Sequence, residues 1–222
     1  MTGWELKHVN SFEGPSLAIQ TTYENRYFRA SMRKILSRLP NRCIGADFGA
    51  GYGRLTPMLE EFFDKAVGFE REEQFIRFGD ELAKTHEITK IDTLSSVPLS
   101  DGEAAFAFIC TVLHHMTDPE VIETVGEMKR VAKGGFVMLI ESTEENFLLG
   151  EEVRGGLFTK GRAISEYERF MSPWVLDFAR PRHMGGTNQV PPWGSIMVFR
   201  DPSIPATPGP VISDWFRSEL TY

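Results

Sequence analysis

The residues best placed to do chemistry lie in Asp47-Phe-Gly49-Ala-Gly51-Tyr-Gly53, directly behind the apolar run Cys43-Ile-Gly-Ala. A strand followed by a tight glycine loop lets a ligand approach the backbone closely and rest near the N-terminus of the next helix. Side chains at the three glycine positions would block that approach. The spacing narrows the ligand. A dinucleotide fingerprint, G-x-G-x-x-G, needs its third glycine at position 54, which is Arg54. An acid placed ahead of the glycines suits a ligand that lacks a pyrophosphate and carries a cationic amino-acid end.

These residues need a scaffold, and the chain alternates strand and helix character throughout its first two thirds. Residues 23–38 read as an amphipathic helix, with Tyr27, Met32, Ile35 and Leu36 near helical spacing and Leu39-Pro40 ending it. Strand, helix and strand follow at 43–46, 55–63 and 66–69, then a helix at 72–85 and a strand at 88–93. The continuous apolar run Ala104–Cys110 is that of a central strand buried on both faces. Asp118-Pro119 opens a helix that runs to Val131, and Gly134-Gly135 separates it from a buried strand over Phe136–Ile140. The expected fold is therefore α/β: a Rossmann-like, doubly wound, mainly parallel seven-stranded sheet with helices on both faces.

The last third is less regular. Asn146–Arg162 reads as a glycine-rich connection. Ser165–Met171 reads as a helix with Ser165 as N-cap. Trp174–Phe178 and Ser195–Phe199 are strands, Pro202–Pro210 an extended linker, and Asp214–Leu220 a short closing helix. The organisation is an N-terminal cap and helix over 1–40, one domain over 41–200, and a Pro-rich tail over 201–222.

Composition removes several function classes. A chain of 222 residues builds one full α/β domain. With 24 basic against 31 acidic residues and a net charge of −7, a general grip on nucleic acid or anionic lipid is not expected. No apolar run is long enough to span a bilayer, and Met1-Thr-Gly-Trp-Glu-Leu-Lys-His lacks the apolar core of a signal peptide, so a cytoplasmic location is expected. Cys43 and Cys110 have no C-x-x-C spacing and sit in apolar runs, as buried thiols do; no metal site is expected.

Four blocks in order resemble the class I S-adenosylmethionine-dependent methyltransferases over roughly residues 23–142. They are the Asp47–Gly53 loop, Val67-Gly-Phe-Glu70, the stretch Ile91–Gly102 running into Phe108–Pro119, and Met128-Lys-Arg-Val-Ala-Lys-Gly-Gly135 before a strand. The resemblance implies S-adenosyl-L-methionine as cofactor. It gives Asp47 the methionine ammonium, with Gly49, Gly51 and Gly53 forming the loop. Glu70 takes the ribose hydroxyls, with Arg71 beside it, and a carboxylate can accept both hydroxyls at once. Asp92 accepts from the adenine amino group, flanked by Thr93 and Leu94, while Cys110 and Thr111 line the methyl-donor pocket. Tyr23 and Arg26 resemble a helix patch that closes over the cofactor carboxylate.

Methyl displacement needs a base only where the acceptor must lose a proton. His115 is the candidate, because the loop after the fourth strand opens onto the reacting methyl, while His114 points elsewhere. Metal binding by the pair is disfavoured, since adjacent His residues diverge. The acceptor must be read by the irregular parts: Arg154, Tyr167, Arg182 and His183 with His115, in a set that also holds Trp174, Arg180 and Trp193. Two departures from the family pattern are Ala104-Ala105 where relatives carry Phe-Asp, and Lys133 where they carry Pro.

The expected activity is methyl transfer to an oxygen or nitrogen of a small metabolite or sugar-like acceptor. A non-catalytic binding or regulatory subunit of the same fold is an alternative. So is an NAD-dependent oxidoreductase, opposed by Arg54 and the blocks between Ile91 and Pro119. Partners are a small-molecule acceptor, with no nucleic acid and no membrane span; the Pro-rich tail could embrace a second subunit, making a homodimer possible.

Overall fold

A computed structural model describes residues 15–81, 87–143, 152–154, 157–182 and 194–206. Helix α1 spans Pro15–Ile35 and ends in a single 3₁₀ turn, Leu36–Arg38. Then follow β1 Ile44–Phe48, α2 Thr56–Glu60, β2 Lys65–Glu70, α3 Glu73–Glu81, β3 Ile88–Lys90 and β4 Phe106–Cys110. A 3₁₀ turn, Leu113–His115, leads to α4 Asp118–Val131 and β5 Phe136–Glu141. The remaining elements are β6 Glu152–Arg154, β7 Leu157–Thr159, α5 Ile164–Met171, β8 Val175–Pro181 and β9 Ser195–Arg200.

Seven strands form one sheet in the order β3-β2-β1-β4-β5-β9-β8. The pairs from β3 to β5 are parallel; β9 runs antiparallel to both β5 and β8. The order reverses between β1 and β4, and their carboxyl ends leave the crevice in which open α/β sheets bind ligands.

Alternation along the central strands explains why they are apolar at every position. Phe106, Phe108, Phe136, Met138 and Ile140 face one cluster with Phe28, Met32 and Ile35 of α1 and Leu59 of α2. Ala107, Ile109, Val137 and Leu139 face the other, with Val121, Val125 and Met128 of α4 and Tyr167 and Phe170 of α5. Successive side chains go to opposite faces, and both faces are covered. Phe28 meets Phe108 edge-on with centroids 5.2 Å apart, so α1 is part of the main core.

Several expected boundaries move. The connection over 146–162 contains an antiparallel pair, β6–β7, in which Arg154 faces Leu157. A Gly-Gly step in the sequence is itself a hairpin signal. Helix α5 starts at Ile164 with Ala163, not Ser165, at the cap position; the Glu166 carboxylate accepts from the Ala163 N–H at 3.0 Å and closes the end in the cap's place. The segment after β9 begins as a docked turn instead of an extended linker. Asp201 accepts from Ser203 N–H and Oγ, and Ile204 is buried against the α1 face. The expected helix over Asp214–Leu220 lies outside the described residues.

The departure at Lys133-Gly134-Gly135 is structural. Gly134 has φ +81° with open space around it, whereas a Cβ on Gly135 would overlap the Ala105 carbonyl oxygen. The missing side chain at Gly135 therefore allows the starts of β4 and β5 to pack closely. Gly135→Ala is expected to cost about 3 kcal/mol or more of unfolding free energy, and Gly134→Ala only about 1–2 kcal/mol, the cost of the left-handed backbone. Urea denaturation of the two variants checks the order; equal losses would contradict it.

Candidate functional site

The glycine loop leaves β1 and turns back onto β2. Gly49 N–H and Ala50 N–H both donate to the Phe69 carbonyl, at 2.8 and 3.1 Å. Gly49, Gly51 and Gly53 have φ of +69°, +59° and +76°, a region glycine enters without strain. Their reasons differ. A Cβ on Gly49 would lie 2.7 Å from Val112 Cγ2, so this glycine admits the turn after β4. A Cβ on Gly51 would meet nothing within 4 Å, so the open side of the loop is there.

Asp47 and Glu70 emerge at neighbouring strand ends, as their spacing implies. Asp47 is almost fully buried, and its Oδ2 accepts from the Thr56 hydroxyl at 2.8 Å. Burial pushes its carboxyl up to about 7, against the Thr56 hydroxyl and the Arg54 charge and with some help from Glu70. Glu70 is held by backbone: Oε2 accepts from Gly51 N–H at 2.8 Å, and Oε1 from the Arg71 and Glu72 N–H groups at 2.7 and 2.8 Å. Burial raises its carboxyl, opposed by those three N–H groups. Arg71 itself is exposed, with its Nε on Glu72.

The loop after β3 joins this corner, because Ile91 N–H donates to the Glu70 carbonyl at 3.0 Å. Asp92 and Thr93 are exposed there, Thr93 pairs with the Ser95 hydroxyl at 2.9 Å, and Leu94 is buried. Cys110 ends β4. Thr111 follows with φ +56°, a left-handed conformation that a β-branched residue adopts only under strain, and its hydroxyl donates to the Cys110 carbonyl at 2.7 Å.

Sequence reasoning missed Glu141, the last residue of β5. It is fully buried; Oε1 accepts from Val112 and Leu113 N–H at 3.0 and 2.9 Å, and Oε2 accepts from His114 N–H at 3.3 Å and from His114 Nδ1 at 2.8 Å. Burial alone would raise this carboxyl, but the His114 ring and the turn's N–H groups outweigh it and hold it below its ordinary value. An acid closing a strand of otherwise apolar residues is the available signal, the same one that marks Glu70. Arg162 was also missed. Its buried guanidinium donates to the Leu113 and Met116 carbonyls at 2.9 and 2.6 Å and to Asp118 at 2.9 Å.

His115 Nδ1 lies 2.8 Å from the Phe158 carbonyl of β7, so this strand reaches the turn that carries both histidines. Of the expected acceptor set, His115, Tyr167 and Arg182 have described side chains. Tyr167 and Trp174 are buried in the core beneath α4 and α5, which leaves Tyr167 no face for an acceptor. Arg182 is buried, and Arg180 lies over the Tyr27 ring with its charge 4.9 Å from the centroid. Arg26 is exposed on α1. The side chains of Tyr23 and Arg154, and His183 and Trp193 altogether, lie outside the described residues. Among the described residues no group of His, Cys, Asp and Glu could hold a metal, and no helix is long and apolar enough to cross a membrane.

Comparison with known proteins places this geometry. A family model described as Methyltransferase domain matches residues 46–140, from β1 through β5. No curated protein matches the chain in sequence. Among solved structures, a SAM-dependent methyltransferase from Methanosarcina mazei superposes with a TM-score of 0.61 at 17% identity, over 75% of this chain and 96% of its own. One from Aquifex aeolicus gives 0.61 at 17% identity, over 89% and 98%. One from Archaeoglobus fulgidus gives 0.59 at 10% identity, over 85% and 100%. At these identities the likeness is one of fold.

A buried carboxyl titrating near 7 makes stability depend on pH. Its value in the unfolded chain is about 3.9, so the folded state holds the proton more tightly. The contribution of this one group is then fullest below about pH 4, is lost as the pH rises to about 7, and stays lost above it. Asp47→Asn removes this loss: at pH 8 the variant is expected to be more stable than the wild type by about 2–4 kcal/mol, with the gap opening between pH 4 and pH 7. Urea denaturation at stepped pH reads it, and parallel profiles would rule it out.

Proposed function

We propose that this chain, which carries the methyltransferase domain of the class I S-adenosylmethionine-dependent enzymes, transfers the methyl group to an oxygen or nitrogen of a small metabolite or sugar-like acceptor. The cofactor is S-adenosylmethionine. The donor and acceptor groups at the strand ends fit it: one buried acid beside the open side of the glycine loop, and a second acid at the next strand end. When bound, the cofactor supplies an electrophilic methyl group on a sulfonium.

In this reading Asp47 takes the cationic amino-acid end, whose charge completes a carboxylate with a single hydroxyl donor. Glu70 offers the ribose the acceptor site left by its three backbone N–H bonds, or yields the Gly51 N–H to take both hydroxyls. Asp92, with Thr93 and Leu94, meets the adenine. Cys110 and Thr111 border the methyl, and the strain at Thr111 fixes where the following turn begins.

The observation that carries the acceptor chemistry is the bond between His115 and Phe158. A carbonyl only accepts, so Nδ1 carries the hydrogen, and in the neutral ring Nε2 is the unprotonated nitrogen. That is the form a general base needs. His115 then removes the proton from an acceptor hydroxyl or ammonium while the core-backed turn holds donor and acceptor in line. The chain's excess of acidic residues supports a small acceptor over a nucleic acid.

Incubation with tritium-labelled S-adenosylmethionine and a cell extract, followed by separation into metabolite, protein and nucleic-acid fractions, tests the acceptor class. Label in the metabolite fraction is expected; label confined to protein or RNA would overturn the reading. Glu70→Ala is expected to weaken S-adenosylmethionine binding about 10- to 100-fold by calorimetry. His115→Gln is expected to leave that affinity within about twofold and to lower kcat about 100-fold for a hydroxyl acceptor. Unchanged kcat at saturating acceptor would remove His115 from the mechanism.

A further inference from the structure

The turn that carries His114 and His115 is held from both sides by charges buried in the protein. Its N–H groups at Val112, Leu113 and His114 all donate to the Glu141 carboxylate. Its carbonyls at Leu113 and Met116 accept from the Arg162 guanidinium, and the His114 carbonyl accepts from Lys160 N–H at 2.7 Å. Glu141 lies 27 residues from the His114 ring it contacts, and Arg162 lies 49 from Leu113, so neither bond is a local turn preference.

The two rings are in contact, with centroids 3.9 Å apart and planes tilted by 47°. His114 donates from Nδ1 to Glu141, a carboxylate that only accepts when ionised. His115 therefore sits behind one ring from a buried anion. The other charged groups at the turn are two cations and one anion, leaving one net positive charge beside the Glu141 carboxylate. Arg162 and Lys160 both pair with Asp118 at the start of α4, and Tyr167 of α5 contributes a buried phenol.

We propose that Glu141 is a positioning residue for His115: it holds the turn through three backbone N–H groups, and through the His114 ring it favours the imidazolium that forms when His115 takes the acceptor's proton. This rests on the reading of His115 as the base. A positive ring 3.9 Å from a neighbour whose far side is bonded to an anion gains most where solvent is excluded. The proton moves from the acceptor's O–H or N–H to His115 Nε2, the acceptor's electron pair forms the new bond to the methyl carbon, and the pair of the broken carbon–sulfur bond stays on sulfur. Glu141 and His114 exchange no proton in this step.

The test follows the His115 ring by ¹⁵N NMR against pH in the full chain bound to S-adenosylhomocysteine. In the wild type the Nδ1–H form should dominate when the ring is neutral. Glu141→Gln should lower the ring's titration midpoint by about one pH unit, a tenfold loss of basicity, with S-adenosylhomocysteine affinity within about twofold. Glu141→Asp keeps the charge and should hold the midpoint within about 0.3 of the wild type. A merely structural Glu141 would destabilise both variants and move the midpoint in neither, which would overturn the proposal. Should Glu141→Gln not fold, His114→Asn removes the ring between Glu141 and His115, and a His115 midpoint unchanged in that variant overturns the proposal. Midpoints that shift as expected, with transfer unchanged in His115→Gln, would leave Glu141's action on the ring standing and remove the base reading. Slower transfer in His115→Gln with unmoved midpoints in the Glu141 variants would do the reverse.

Discussion

A carboxylate taken out of water must gather hydrogen-bond donors or surrender its charge, and this constraint organises the ligand-binding edge of the sheet. Asp47, Glu70 and Glu141 each stand at or near the carboxyl end of a parallel strand, and each is less than a tenth exposed. Their donors come largely from loops. Glu70, on β2, draws in Gly51 from the loop after β1. Glu141, on β5, draws in the turn after β4. Each of these two acids therefore ties its own strand to the loop of its neighbour. The crevice is shaped by these ties as much as by the strands.

The supply of donors separates the three acids. Asp47 has one hydroxyl and rises to about 7. Glu70 has three N–H groups and is still raised by burial. Glu141 adds an imidazole to three N–H groups and is held below its ordinary value. The order suits the roles proposed for them. An acid short of donors is completed by a cationic ligand, whereas an acid already saturated is suited to holding a turn in place. In the proposed role, the Asp47 site would trade stability of the ligand-free protein for affinity.

Much of the scaffold is legible from local pattern. The helix over Asp118–Val131 and the strands over Phe136–Ile140 and Ser195–Phe199 fall within a residue of their expected ends. Their apolar periodicity, the Asp-Pro start and the Gly-Gly stop all agree. The elements that shift are those whose ends depend on distant partners. Helix α5 is closed by Glu166 in place of Ser165, and the segment after β9 docks through Asp201 and Ile204 instead of extending. The pair β6–β7 was hidden because three-residue strands are too short to show an alternation, although a Gly-Gly step in sequence is a hairpin signal.

By itself the sequence determined the sheet, the strand-end positions of Asp47 and Glu70, the glycine loop and the place of the histidine pair, because each is encoded by residues close together in the chain. Tertiary structure alone decided what surrounds them. A side chain at Gly49 would strike Val112 of the turn after β4, and Tyr167 is drawn into the core by α5. The two histidines differ because one meets a carboxylate on β5 and the other a carbonyl on β7. Burial, charge balance and ring tautomer depend on groups many residues away, and no local pattern of residues specifies which of them will meet.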